Sequence, residues 1–202
     1  MKENTVKSSF RTRLTYAGLC LACVTTLAVQ GLVEARESYA NLVSRILSAP
    51  PEGAEIREDM EQAILVAVNA YRKSKGVAAL KPIAGTMRSA ARAHAMDLLS
   101  TATMGHTASS GHDFASRMRA LQPGKLFLPP MAENAARQRQ AGLSATAKAQ
   151  KLVLQWIGSQ GHRKNLVNRT YTRVATGTVM RGNDVYAVQI FLGPEVKTNL
   201  NQ

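Results

Sequence analysis

Cysteine is almost missing from this chain. Its 202 residues include two, Cys20 and Cys23, both in the first 35 positions. With that segment removed, no disulfide can form and no thiolate nucleophile remains, so stability must come from a packed core. Aromatic residues are scarce as well, at 5%. The basic residues are spread out rather than interleaved with aromatics, which argues against specific nucleic-acid binding. Acids thin out after Glu61. Residues 62–202 hold 19 Lys plus Arg against five acids, Asp97, Asp113, Glu133, Asp184 and Glu195. Such a surplus draws a protein toward anionic surfaces. Also absent are HExxH, CxxC, GxSxG and a phosphate-binding glycine loop. That sets aside most familiar hydrolases, kinases and nucleotide enzymes. There is no internal repeat and no low-complexity segment.

What is present begins with a leader. Lys2, Lys7, Arg11 and Arg13 form a positive start, and Leu14 to Val33 is an uncharged run of twenty residues. Val33-Glu34-Ala35 follows, with short residues where an export peptidase reads. The pattern predicts a signal peptide over residues 1–35, cleaved after Ala35, and a secreted or periplasmic protein. An uncleaved leader would instead be long enough to anchor the chain in a bilayer. Thr25, Thr26 and Gln30 weaken that alternative, and neither cysteine follows a convincing lipobox.

Ser48-Ala49-Pro50-Pro51-Glu52-Gly53 cannot form regular structure, so residues 36–55 read as a linker or flexible arm. The domain is then expected over 56–195, with a tail over 196–202. Helices are predicted over Ile56–Ser74 and Met87–Ser100, the second with Thr86 as N-cap, and after Asp113 to Leu121. Met131–Gln138 reads as a short strand. Ser144 is a candidate cap for a helix in which Ala149, Leu152, Val153 and Trp156 make one apolar stripe. Gly158 and Gly161 are expected to break that helix and leave His162 just past its C-terminus, where a protonated imidazole is favoured. Strands over Tyr171–Met180 and Asp184–Leu192 close the domain as a hairpin through Gly182-Asn183. The order of elements is that of an α+β fold.

Four histidines remain beyond the leader: His94, His106, His112 and His162. His94 lies on the inner stripe of its helix and reads as a core residue with one hydrogen bond. His112, beside Gly111 and Asp113, reads as exposed loop. Glu133 is the only acid between Asp113 and Asp184 and sits among small and apolar residues. It either pairs with a cation or serves a site. Asn134 and Asn165 are expected to bond backbone in irregular segments. Arg163-Lys164 either caps the Trp156 helix electrostatically or touches an anionic ligand, with capping preferred.

These segments, in order, resemble the CAP superfamily of cysteine-rich secretory, antigen 5 and pathogenesis-related 1 proteins, in its cysteine-poor bacterial branch. The resembling stretches are Asn69-Ala70-Tyr71-Arg72 with Gly76 and Leu80; Ala90 to Asp97; Gly105-His106-Thr107 with Gly111; Glu133-Asn134; and Trp156 with Ser159, Gly161-His162-Arg163 and Asn165-Leu166. The likeness covers about residues 60–193 and implies an α-β-α sandwich, a small antiparallel sheet between helical layers. It also implies a central cleft with His106, Glu133 and His162 as ligands for a divalent metal, zinc first, supported by Asn134, Ser159, Arg163 and Asn165. The sequence departs from the family pattern at Ser159, where a second Glu is common, and at Ala132, where the signature has Gly.

Three functions follow from the resemblance and the charge. The favoured one is a secreted binding protein whose metal-capable cleft takes a lipid, peptide or envelope ligand. The second is a metal-assisted hydrolase of peptide or envelope material, weakened by the lost carboxylate. The third is a basic surface-adhesion protein with an idle cleft. Mass spectrometry of the protein from its native compartment is expected to find a mature chain starting at Arg36. A mass that retains residues 1–35 would establish the anchored form instead.

Overall fold

The computed structural model describes residues 37–195. The expected leader and the tail over 196–202 lie outside the described residues. Among the described residues, no helix is long and apolar enough to cross a membrane. The elements are α1 (Tyr39–Ser48), β1 (Glu55–Ile56), α2 (Glu58–Ser74), β2 (Lys81–Pro82), α3 (Thr86–Thr101), α4 (Phe114–Ala120), β3 (Met131–Gln138), α5 (Ala145–Gly158), α6 (Gln160–Val167), β4 (Arg173–Arg181) and β5 (Asp184–Leu192).

The sheet runs β1-β4-β5-β3, with β2 also joined to β4. All pairings are antiparallel except the two-residue β2–β4 contact, which is parallel. The hairpin forms as expected, with Arg181 opposite Asp184 and Gly182 at φ 58°, a turn position that suits glycine. Strand alternation then makes two cores. Val188, Ile190 and Leu192 of β5 face one way, into a core with Tyr39 and Ile46 of α1, Leu98 of α3 and Met118 of α4. Ala187 and Phe191 face the other way, against Ile64 of α2, Leu152 and Trp156 of α5 and Leu166 of α6. The result is the expected α-β-α sandwich.

Within the expected arm over 36–55, the described residues 37–55 are not loose. Ser38 accepts a hydrogen bond from the Asn41 N–H and starts α1. Tyr39, Leu42, Val43 and Ile46 then repeat at i, i+3, i+4 and i+7 and are all buried. The Pro50-Pro51 break only ends this helix, so the domain begins at least 17 residues before Ile56. Thr86 is not an N-cap either. Gly85, at φ 66°, takes that position and Thr86 is the first helical residue.

The packing of β4 on α3 depends on one missing side chain. A Cβ on Gly177 would land on the backbone of Ala91 and Arg92, which no rotamer change could relieve. Gly177→Ala is therefore expected to destabilise the protein by about 3 kcal/mol or more in urea unfolding. A loss under about 1 kcal/mol would show that the two elements can separate without cost.

Candidate functional site

The site is built on β3, an edge strand that pairs only with β5 among the described residues. Glu133 and Asn134 are consecutive there, so the pleat sends their side chains to opposite faces of the sheet. Each one holds a segment from a different helical layer.

Glu133 faces α3 and α4, and its side chain is 1% exposed. Arg117 of α4, fully buried, donates from Nη2 to both carboxylate oxygens, at 2.7 and 2.8 Å. His106 places Nδ1 2.9 Å from Oε1. Since a carboxylate only accepts, Nδ1 is the donor, and in the neutral ring Nε2 is left with a free lone pair. Buried His94 lies behind, with Nε2 3.7 Å from the same oxygen.

The loop bearing His106 is pinned along its length. His94 Nε2 meets the Gly105 carbonyl at 3.1 Å, and Arg117 Nη2 donates to the His106 carbonyl at 3.0 Å. Buried Asp97 takes the N–H and the hydroxyl of Ser109. Tyr39 completes this layer. Its ring and that of Phe114 each lie 5.5 Å from the Arg117 guanidinium carbon.

Asn134 faces the other layer. It donates to the His162 carbonyl at 3.2 Å and accepts from Asn165 Nδ2 at 2.9 Å. Asn165 also donates to the Glu133 carbonyl on the open edge of β3, at 3.3 Å. These bonds seat α6 against the strand. The His106 and His162 rings thereby meet edge to face, with centroids 6.2 Å apart. His106 remains half exposed, at 49% of its side chain.

His162 lies past the end of α5, as expected, but a second helix begins before it. Ser159 ends α5 and caps α6, its hydroxyl accepting from the His162 N–H at 3.5 Å. His162 therefore stands in the first turn of a new helix, at the positive end of its dipole. Its pKa is lowered, by burial first and then by the charge of His106 alongside. The His94 pKa is also lowered by burial, which outweighs the attraction of Glu133. Burial pushes the Glu133 carboxyl up, but the His106 hydrogen bond and the Arg117 charge outweigh it and hold it below its ordinary range.

His106, Glu133 and His162 thus converge, as do Asn134, Ser159 and Asn165. Arg163 does not. It donates to the Ile157 carbonyl at 2.9 Å on the opposite face of α6. Nor does a three-ligand metal set form. Both Glu133 oxygens are taken by Arg117, and no three His, Cys, Asp or Glu among the described residues are arranged to hold an ion. The donor set that fits a metal is the imidazole pair, with Glu133 orienting His106 from behind. His112 is half-buried rather than exposed, bonded to the Glu37 carbonyl at 3.1 Å.

Arg117 and Tyr39 are the residues that reading the sequence missed. Arg117 carried a signal. In Phe114, Arg117, Met118 and Leu121 it is a cation inside a helical apolar stripe, which implies a buried counter-charge.

In metal-free protein, the two lowered histidines and the lowered carboxyl all favour folding at higher pH. Thermal stability is expected to fall as pH drops below 6.5 and again below 4.5, the ordinary values of these groups. Glu133→Gln should cost about 3–5 kcal/mol at pH 7 by leaving Arg117 uncompensated, and should shrink the lower fall, to which Asp59, Asp184 and other arginine-paired acids also contribute. An acid profile unchanged in that variant would mean the pair does not form.

Among solved structures, a domain of an extracellular protein containing an SCP domain from Bacillus anthracis superposes with a TM-score of 0.52 at 24% identity. That match covers 68% of this chain and 41% of the other. An outer surface protein of Borrelia burgdorferi matches at 0.56 and 16% identity, over 70% and 99% of the two chains. A cysteine-rich secretory protein of Staphylococcus aureus matches at 0.50 and 19%, over 72% and 40%. The chain therefore spans about two fifths of the Bacillus and Staphylococcus proteins. No curated protein matches the sequence. The model of the cysteine-rich secretory protein family, CAP, matches residues 65–191, and with the sandwich fold this places the chain in the CAP family.

Proposed function

We propose that this chain is an exported CAP domain that works by binding rather than turnover. The His106–His162 pair is its contact with a divalent metal and with a lipid, peptide or envelope ligand. The observation that carries this reading is the pair itself: two imidazoles 6.2 Å apart, from different helical layers, held by the adjacent residues Glu133 and Asn134. Such construction orients ligands, and imidazole suits zinc. Two protein ligands leave positions open for water or for a donor atom of the bound molecule. A bound zinc would supply Lewis acidity, and this chain's residues would orient and desolvate what it holds.

Hydrolysis is the weaker reading. A general base needs a free carboxylate or imidazole near the attacking water, and a metal held by His106 and His162 would take both imidazole lone pairs. Glu133 is spent on Arg117, and the Ser159 hydroxyl is spent as the cap of α6. Export is supported by the leader pattern over residues 1–35 and by the structural neighbours, described as extracellular, outer-surface and secretory proteins.

Zinc is expected to raise the melting temperature of the protein. At a hundredfold excess over Kd, a single site contributes about 2.7 kcal/mol. His106→Ala and His162→Ala should each abolish the rise. A rise that survives in both variants would place the metal elsewhere and sink the reading.

A further inference from the structure

A second recess lies on the far side of α6 from the imidazoles. Helical geometry puts Gln160, Arg163 and Lys164 on one face, and His162 and Asn165 on the other. The first face borders a cavity of about 550 Å³ closed by Tyr71 and Lys75 at the end of α2 and by Arg169 from the loop after α6. Four of these side chains are cations, and none of the lining residues is acidic.

The recess has a built framework. Beneath it, Arg72 is 1% exposed and has no carboxylate partner. Its guanidinium donates instead to the carbonyls of Ala78, Leu166, Asn168 and Tyr171, at 2.7 to 3.2 Å. Those bonds tie the exit of α2 to the exit of α6 and fix the loop carrying Arg169. Gly76, at φ 63°, lets the chain turn there, and Arg169 Nη2 lies 4.0 Å from where a Gly76 Cβ would stand. Lys75 stands over the Tyr71 ring at 5.5 Å.

Nothing in the described residues neutralises these cations. The five acids after Glu61 are all engaged elsewhere. Asp97 holds Ser109, Asp113 caps α4, Glu133 holds Arg117, Asp184 bridges Arg137 and Arg139, and Glu195 takes Lys125 and Arg173. Among the described residues, Lys164 and Arg169 have no hydrogen bond or ion pair, and Arg163 has only the Ile157 carbonyl. A concave, rigid floor with four cations and no counter-charge is complementary to one chemistry, an oxyanion of high charge density. Guanidinium and ammonium together match phosphate oxygens, the guanidinium through two parallel N–H donors and the ammonium as a point charge.

We infer that the recess between the C-terminal end of α2 and the outer face of α6 binds a phosphate-bearing anion, independently of the imidazole pair. The phosphate is either a soluble oxyanion or the headgroup of an anionic phospholipid, and two probes separate these sources. Inorganic pyrophosphate is titrated into the purified protein with chelator present, at low ionic strength, by calorimetry. Sedimentation with phosphatidylglycerol vesicles tests the lipid source. The key variant is Lys164→Gln/Arg169→Gln, two exposed changes that leave the core intact. The control is Lys151→Gln/Arg181→Gln, which removes the same charge from other surfaces.

The expected result is saturable binding of at least one probe. It should weaken tenfold or more in the key variant, stay within twofold in the control, and remain in His106→Ala. Binding of pyrophosphate marks a soluble-anion site, and binding of vesicles alone marks a headgroup site. Equal losses in the key and control variants would reduce the recess to diffuse attraction and overturn the proposal. Absence of binding to either probe would overturn it too.

Discussion

Buried charge organises this molecule. Arg117 is fully buried and Glu133 is 6% exposed, a burial that neither charge tolerates alone. Their pairing at 2.7 and 2.8 Å satisfies both carboxylate oxygens. Arg117 also donates from Nη2 to the His106 carbonyl and from Nη1 to the Tyr39 hydroxyl, and its flat faces rest near two aromatic rings. Four elements meet at this pair: α1 through Tyr39, α3 through His94, α4 through Arg117 and β3 through Glu133. The loop with His106 is held by the same contacts. The ion pair is thus both the keystone of one layer and the mount for an exposed imidazole.

The other layer is joined by the next residue in the chain. A strand pleat turns Glu133 and Asn134 to opposite faces, so two adjacent positions can draw one loop and one helix to a common edge. Carboxylate and amide suit these tasks differently. The carboxylate orients a ring N–H and balances a guanidinium. The amide both donates to the His162 carbonyl and accepts from Asn165. The capping of α6 by Ser159 sets His162 in a first turn, where the helix dipole and burial both keep the imidazole neutral. A neutral imidazole is the form that donates a lone pair. The same helix carries its basic residues on its other side, so the charge surplus stays apart from the site.

Much of this was legible in the sequence, and the failures are instructive. The strand Met131–Gln138, the caps Asp113 and Ser144 and the final hairpin follow from local pattern and turn chemistry, and the structure has them. Helix α1 was missed although its stripe of Tyr39, Leu42, Val43 and Ile46 is regular. The Pro50-Pro51-Glu52-Gly53 break beside it masked the signal. The start of α6 was missed because Gly158 and Gly161 read as breakers. A serine cap between them instead ends one helix and begins the next. Glu133 was visible as an isolated acid, but its partner, 16 residues earlier, was not.

Composition and periodicity by themselves determined the α+β order of elements, most helix and strand positions and the cationic balance, while the sandwich and the site residues were implied by the family resemblance. The former properties are local or additive, so they are written along the chain. Tertiary structure alone decided that Glu133 is a holder of His106 rather than a free ligand, that Arg163 faces away from the imidazoles, and that uncompensated cations gather beside α2. Each depends on which groups meet across large separations in sequence. Such meetings are set by how helices dock on a sheet, and no window of the sequence contains them.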